Sequence, residues 1–474
     1  MTTHDVSDTP RPRRKALGRL AAAGAALAVI AIAGSAVAED PTGDWQGVLK
    51  TGGGSLRLAV HINKTASGGY DGALDSLDQN AKGIPLAAVT SDGARLSFTV
   101  PSVGARYDGA WSAGDHRWVG EFNQGGTGLA LTLARGEAPP APAPVAYRAA
   151  PWPYAEREVA VAVKGVDVRL AGVLTTPDGP GPFPAVVLIA GSGRNARDEN
   201  VFGHPIFAVI ADHLARHGIA VLRYDKRGVG ASTGDYSVAT SADFAADADA
   251  AATFLAAQPK IDPRRIGLVG HSEGGIVAPM VARSDPNVKF VVLLAGPGVT
   301  GDAIIMAQQR AILLASGGSP AMADTAGAQE RRILDAVEKA PDHAAAVAAA
   351  RAELTSMGLP GDQADLQARQ VGSDWFRFFL AYDPAPALRA LHVPVLAMIG
   401  SKDLQVPAEQ NLPALRAALA ANPDATVVEL PGLNHLFQTA TTGSPSEYGQ
   451  IAEHVSPLAL DRLSDWIARH SGGK

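Results

Sequence analysis

Ser272 stands between glycines two residues before and two residues after it, in the run Gly270-His271-Ser272-Glu273-Gly274. Ahead of this run lies the apolar stretch Ile266-Gly267-Leu268-Val269, which reads as a buried strand, and a helix is expected to begin near Gly275. A serine held on a sharp strand-to-helix turn needs small residues at those two flanking positions, because the chain folds back on itself there. The hydroxyl then stands free at the strand end, as a nucleophile must. In a chain with 51 glycines the five-residue pattern alone carries little. The strand before it and the helix after it give it weight.

A serine hydroxyl attacks a carbonyl only when a base takes its proton and an acid holds that base in the right tautomer. Where the nucleophile sits on such a turn, the acid and then the histidine follow it along the chain. Asp403 follows the strand Val395 to Ile399 in the loop Gly400-Ser401-Lys402-Asp403. His435 follows the strand Val427-Val428-Glu429-Leu430 in the loop Pro431-Gly432-Leu433-Asn434-His435. Both fall at C-terminal strand ends, the edge that carries Ser272, so Ser272 is expected as nucleophile, His435 as base and Asp403 as orienting acid. Among the competitors, His454 is expected in a helical stretch, His392 precedes its strand, and Asp424 enters its strand rather than leaving it. The oxyanion formed on attack needs two donors. Glu273 supplies one backbone N–H, its charge being incidental to that role. The loop Gly191-Ser192-Gly193-Arg194, after the strand ending at Ala190, supplies the other, with Ser192 first and Gly193 next.

These loops need a scaffold, and the chain contains one. Pro184 to Ala190, Ile219 to Arg223, Arg265 to Gly270, Lys289 to Leu294, Val393 to Ile399 and Thr426 to Leu430 are continuous apolar runs, as strands buried on both faces should be. Helical segments lie between them; one capped by Thr240 or Ser241 carries Phe244, Ala248, Ala251 and Leu255 on one face. The alternation predicts a doubly wound, mainly parallel α/β sheet. Residues 301 to about 385 break the rhythm; alanine-rich and helical, as in Ala344 to Leu354, they read as a cap above the C-terminal strand ends. Trp375, Phe376, Phe378 and Phe379 in it suit either an acyl pocket or the cap's own core.

Further toward the N-terminus the texture changes. Residues 137–153 are proline-rich and read as a stiff linker. Residues 39–136 hold short alternating runs such as Arg95 to Val100, separated by turn signals such as Asp92-Gly93, and predict a small antiparallel barrel or sandwich. That domain holds no cluster of catalytic residue types; as a binding module it would tether glycan, lipid or another subunit. Residues 1–38 read as a signal peptide: a basic stretch from Arg11 to Arg19, an apolar run from Leu20 to Gly34, and Ala36-Val37-Ala38 as a cleavage site before Glu39. The apolar run is shorter than the ~20 residues that span a bilayer, so no stable membrane insertion is expected after cleavage, and the protein is expected in the periplasm or outside the cell. The Arg13-Arg14 pair hints at the twin-arginine route.

The 474 residues are 46% hydrophobic and 19% charged, with a net charge of −6. That balance supplies a large core and lacks the basic footprint of a nucleic-acid binder. The absence of cysteine removes disulfides, thiolate metal sites and cysteine nucleophiles. His213 and His217 are four apart on a helix, but Leu214 stands where a zinc protease carries its glutamate, so a solvated face and no metal are expected. The glycines around Val229 do not form a dinucleotide motif. The charged cluster Tyr224-Asp225-Lys226-Arg227-Gly228 is expected to pin its loop.

From about residue 155 to the end the chain resembles bacterial α/β-hydrolases described as esterases or serine-aminopeptidase-like hydrolases. The residues that carry the likeness are Gly191-Ser192-Gly193 with Arg197-Asp198-Glu199, Tyr224 to Gly228, Gly270 to Gly274, Gly400 to Asp403 and Leu433-Asn434-His435. The β-rich segment also looks like the N-terminal domain of some secreted members. The resemblance implies the α/β-hydrolase fold over residues 154–474, a small-molecule carboxylic ester as substrate, and no cofactor. The oxyanion loop departs from the common His-Gly start, having Ala190-Gly191. A peptidase with the same triad is the alternative; it needs a cap carboxylate to hold a substrate amino terminus, for which Glu330, Asp335 and Glu338 are available. Thioesters of coenzyme A are chemically accessible to such a triad but lie in a compartment that an exported protein leaves.

Overall fold

The computed structural model describes residues 39–471 except 52–53, 78–80, 102–103, 125–126, 137–151 and 360. The expected signal peptide and most of the expected linker lie outside the described residues.

In the N-terminal part, β1 (Gly43–Thr51), β2 (Gly54–Lys64), β3 (Tyr70–Ser76), β4 (Ala81–Pro85), β5 (Ala87–Ser91), β6 (Arg95–Val100), β7 (Ala105–Ser112), β8 (Arg117–Gln124) and β9 (Thr127–Arg135) form one sheet. Its order is β4-β3-β2-β1-β9-β8-β7-β6-β5. Pairing of β1 with β9, Trp45 opposite Arg135, turns this meander back on itself. Its edge strands β4 and β5 are joined through Leu86 alone, and the result is a nearly closed antiparallel barrel. Alternation decides what fills it: along β6, Leu96, Phe98 and Val100 point inward and are buried while Arg95 stays exposed. Trp45, Tyr107, Trp118 and Leu133 complete the interior, with Phe98 stacked on Tyr107 at 5.0 Å. Side chains pack the barrel.

The second sheet carries the elements that position the site. Its strands are β10 (Tyr154–Ala162), β11 (Arg169–Pro177), β12 (Phe183–Ile189), then, after the two-residue ribbon strands β13 (Asn200–Val201) and β14 (His204–Pro205), β15 (Ala220–Tyr224), β16 (Ile261–His271), β17 (Val288–Leu294), β18 (Val395–Gly400) and β19 (Ala425–Leu430). The order is β10-β11-β15-β12-β16-β17-β18-β19. The β10–β11 and β11–β15 pairs are antiparallel and the remaining pairs parallel, so the expected doubly wound, mainly parallel sheet is present.

Both faces of this sheet are covered, which is why its central strands read as unbroken apolar runs. Along β12, Val187 and Ile189 join a core with α2 (Ser241–Ala256), α3 (Gly274–Ala282) and α10 (Ala408–Ala418). Val186 and Leu188 face the opposite core with α1 (Ile206–Arg216) and α11 (Pro457–Ser471). The start of α2 is fixed as anticipated: the Asp243 carboxylate accepts from both the N–H and the hydroxyl of Thr240. Residues 301–381 form the expected helical insertion after the sixth strand of the sheet. It comprises α4 (Gly301–Ala315), α5 (Pro320–Glu338), α6 (His343–Ser356), α7 (Gly361–Val371) and α8 (Asp374–Ala381), with a core of its own around Leu334, Val337 and Leu354. The short α9 (Ala385–Arg389) leads back to β18, and a 3₁₀ turn, Pro445–Gln450, precedes α11. Strand β2 of the barrel packs against that turn. Among the described residues no helix is long and apolar enough to cross a membrane.

Trp466 locks α11 onto the sheet, buried edge-on to Phe290 of β17 at 6.1 Å and stacked on His470 at 4.0 Å. Truncation to alanine empties a large cavity that backbone cannot fill, so Trp466→Ala should cost about 3–5 kcal/mol of unfolding free energy in urea. A loss below about 1 kcal/mol would mean that α11 re-docks without its anchor.

Candidate active site

Strand β16 ends at His271, and the chain turns directly into α3. Ser272 occupies the turn with φ +53°, a left-handed conformation that a non-glycine residue adopts only when its surroundings impose it. The flanking glycines make this possible. A Cβ on Gly270 would overlap the carbonyl of Gly274, and one on Gly274 would overlap the carbonyl of Ile189. The Ser272 N–H donates to Leu294 O at 2.9 Å, which ties the turn to the end of β17.

Asp403 and His435 come together at the same edge. His435 Nδ1 lies 2.8 Å from Asp403 Oδ2, and both side chains are buried. The other carboxylate oxygen, Oδ1, accepts the N–H groups of Gln405 and Val406 at 2.9 and 2.8 Å, which fixes the carboxylate and leaves Nδ1 of the ring protonated. His435 Nε2 is then free to act as a base. Among the described residues no hydrogen bond joins Ser272 Oγ to His435 Nε2.

The loop from Gly191 reaches the same place: a Cβ on Gly191 would sit 3.0 Å from that of Ser272. Its neighbours' backbone donors are used, Gly191 N–H on the Glu199 carboxylate at 2.6 Å and Asn195 N–H on Gly193 O at 2.9 Å. The N–H groups of Ser192 and Glu273 donate to nothing among the described residues. These are the two N–H groups expected from the sequence to form an oxyanion hole, and both are unengaged here.

The Glu273 side chain departs from expectation. Its carboxylate is fully buried and accepts from Lys226 Nζ at 3.0 Å, Ser241 Oγ at 2.6 Å and Trp375 Nε1 at 2.7 Å. A buried carboxylate needs such partners to stay ionised, so its charge is not incidental. It joins the turn to α2, to the loop after β15 and, through Trp375 of α8, to the cap. Trp375 also stacks on Phe379 at 5.4 Å, while Phe376 and Phe379 are buried in core.

The Tyr224–Gly228 cluster does pin its loop. Arg227 forks onto Asp247 at 2.8 Å, and Asp225 accepts from the Arg197 guanidinium and from Ala231 N–H. Lys226, however, turns inward to the site.

His271 is a residue that sequence reasoning left without a role. It is buried, with Nδ1 3.0 Å from Glu199 Oε1 and Nε2 3.0 Å from His435 O. The His435 carbonyl can only accept, so Nε2 carries a proton, and the Glu199 carboxyl beside Nδ1 favours the charged form of the ring. Burial pulls its pKa down, but the Glu199 carboxylate and the His435 carbonyl overcome this and lift it above the ordinary imidazole value.

Three rejected candidates fall as follows. His392 is exposed, and Asp424 pairs with His470 at 3.2 Å. His454 is not helical; it lies in the loop before α11, buried, with Nδ1 2.9 Å from His204 Nδ1, while His204 Nε2 faces Tyr448 O at 2.9 Å. Tyr448 is buried behind the acid, its hydroxyl accepting from Gln405 Nε2 at 3.1 Å. His213 is not solvated: it packs under α11 with Nε2 3.0 Å from Ser464 Oγ, its ring stacked on His217. Among the described residues no group of three or more His, Cys, Asp or Glu side chains is placed to hold a metal ion.

Comparison with known proteins places these features in context. The sequence profile described as the alpha/beta hydrolase family matches residues 186–444. The esterase EstD of Thermotoga maritima is 29% identical over 301 residues, 63% of this chain and 66% of that protein, so the chain spans just under two thirds of that relative. The thiohydrolase apmlB of Arthrinium phaeospermum is 45% identical over 76 residues, 16% of this chain and 25% of that protein. Among solved structures, the esterase Pf2001 of Pyrococcus furiosus superimposes with a TM-score of 0.43 at 15% identity, covering 67% of this chain and 92% of that one.

The buried His204 gives a pH dependence of definite sign. Burial holds its pKa below the ordinary imidazole value, with the facing His454 adding to this against the bond to Tyr448 O. The folded state then binds a proton less readily than the unfolded chain. Its stability is complete above the unfolded value of about 6.5 and is lost as pH falls through the lowered folded value. Thermal midpoints measured from pH 7.5 to 5 should fall, and should fall less steeply in a His204→Asn variant. Equal slopes in the two proteins would rule this out.

Proposed function

The chain belongs to the alpha/beta hydrolase family, and on that premise we propose that it is a serine hydrolase of carboxylic esters, with Ser272 as nucleophile, His435 as base and Asp403 as the acid that orients it. In this reading His435 takes the Ser272 proton as Oγ attacks the ester carbonyl. The carbonyl oxygen becomes an oxyanion facing the N–H groups of Ser192 and Glu273. Collapse of the intermediate expels the alcohol, which takes its proton from His435, and leaves an acyl group on Ser272. A water molecule activated by the same imidazole then releases the acid. The observation that carries the reading is the conjunction at one sheet edge of a strained serine turn with a buried Asp403–His435 pair at 2.8 Å.

The choice of ester over peptide rests on the carboxylates. Holding a substrate amino terminus takes an unengaged carboxylate near the nucleophile. Glu273, adjacent to Ser272, is saturated by three donors. In the cap, Asp335 faces Arg331 and Lys339, and Glu330 takes Gln309 Nε2 at 3.4 Å. That leaves the exposed Glu338, with no hydrogen bond or ion pair among the described residues, as the one of these three carboxylates that a peptidase would have to use. The identity with an esterase of Thermotoga maritima supports the same choice. Export is part of the proposal, supported by the basic, apolar and small-residue order of residues 1–38.

Against p-nitrophenyl esters of increasing acyl length the protein should turn over readily, and against aminoacyl- and prolyl-p-nitroanilides negligibly. Ser272→Ala should lower kcat by several orders of magnitude, since the triad acts as a unit. Anilide turnover matching that of the esters would move the assignment to a peptidase, and retained activity in Ser272→Ala would remove the nucleophile. Protein recovered from the periplasm or medium of an exporting host should begin at Glu39, as its intact mass reads directly; an unprocessed chain held in the cytoplasm would overturn the export.

A further inference from the structure

The peptide group between Gly191 and Ser192 is held from behind. Its carbonyl, Gly191 O, accepts from Lys226 Nζ at 2.6 Å and from Asn195 Nδ2 at 2.9 Å. A peptide is planar, with N–H and C=O pointing opposite ways, so fixing the oxygen fixes the direction of the Ser192 N–H at the other end. Two donors on the carbonyl, one of them a cation, also polarise the group and make that N–H a stronger donor. The same ammonium reaches Glu273 Oε2 at 3.0 Å, and Glu273 owns the second free N–H. Lys226 is itself buried and comes from a third element, the loop after β15. One cation therefore joins the peptide that carries the Ser192 N–H to the side chain of the residue after Ser272.

We infer that Lys226 is a positioning residue of the oxyanion hole: bound between the Gly191 carbonyl and the Glu273 carboxylate, it aims and polarises the Ser192 N–H toward the transition-state oxygen and ties that peptide to the Ser272 turn. The inference rests on the reading of Ser272 as nucleophile. Lys226 touches no substrate and moves no proton. Its contribution appears only when negative charge develops, so it acts on kcat and leaves ground-state binding alone. A salt bridge that merely holds the loops would behave differently. Replacing a buried ion pair by neutral side chains of similar volume is commonly neutral for stability, so a structural pair could be replaced with little effect on chemistry.

That contrast sets the experiment. The double variant Lys226→Met/Glu273→Gln removes both charges together and keeps an amide oxygen for Ser241 and Trp375. Deleting an oxyanion donor outright costs about 100- to 1000-fold; here the donor remains but loses its aim, so kcat for a p-nitrophenyl ester should fall about 10- to 100-fold, with KM within about threefold. Affinity for a trifluoromethyl ketone, which forms the oxyanion on the enzyme, should fall by the same factor as kcat/KM. Asn195→Ala, which removes the second donor on Gly191 O and leaves the ion pair intact, should show a smaller loss of the same kind and carries the test if the double variant fails to fold. A folded double variant with kcat within twofold of the parent, or an Asn195→Ala protein with unchanged kcat and ketone affinity, overturns the inference. Labelling by a fluorophosphonate separates the two levels. A parent protein labelled at Ser272 with unaffected variants defeats the role of Lys226 alone, whereas a parent that resists labelling defeats the nucleophile and this inference with it.

Discussion

Charge taken out of water must be paired, and the cost of leaving it unpaired governs the loops above the sheet. Five ionisable side chains, His271 and Glu273 from the Ser272 turn and Glu199, Lys226 and Asp403 from three other loops, are buried. Each is held by a partner from another loop: Glu199 by His271, Lys226 by Glu273, and Asp403 by His435. Moving one loop would strand a charge belonging to another, a loss of several kcal/mol by the usual cost of breaking a buried pair (about 3–5 kcal/mol). The loops are therefore interlocked. The strain at Ser272 persists because its surroundings leave no cheaper arrangement.

Much of this was legible in the sequence, and the part that was not has a physical reason. The six parallel strands of the sheet, the Thr240 cap, the helical insertion and the serine turn follow from local periodicity and from steric need at single positions, both of which survive in one dimension. The antiparallel β10 and β11, whose exposed or polar positions break the apolar run, do not stand out in the same way. The loops of Asp403 and His435 were found because strand ends share an edge. The partners of the buried charges were not found, since His271 and Glu199 are 72 residues apart and His204 and His454 are 250 apart. One signal was available and unused. Glutamate is almost never fully buried unless paired, and Glu273 lies between residues that must be buried for the turn to form. A charge at such a position demands a partner, and Lys226, two residues beyond a buried strand, was the cation to ask for. His454 lies outside the helical stretch expected for it because α11 begins only at Pro457, a residue suited to a first helical position, and the chain before it is loop.

The barrel and the sheet meet through a small element. The 3₁₀ turn Pro445–Gln450 lies against β2 on one side and on the other buries Tyr448, whose carbonyl and hydroxyl engage His204 and Gln405. Gln405 gives its N–H to Asp403. One link between the N-terminal domain and the Asp403–His435 pair thus runs through Tyr448, while the barrel's own interior is filled with side chains.

Trp375 closes the cap's end of the network, its indole N–H on a buried carboxylate and its ring stacked on Phe379. Of the six tryptophans, Trp45, Trp111 and Trp118 cluster in the barrel, Trp152 is exposed, and Trp466 of α11 is buried against the sheet. Trp375 couples its indole to the residue beside Ser272. A negative charge at the indole nitrogen shifts the energy of its excited state, so any separation of cap from turn changes the colour and yield of this one fluorophore. The molecule thus carries a built-in optical gauge of cap position, readable with no label attached.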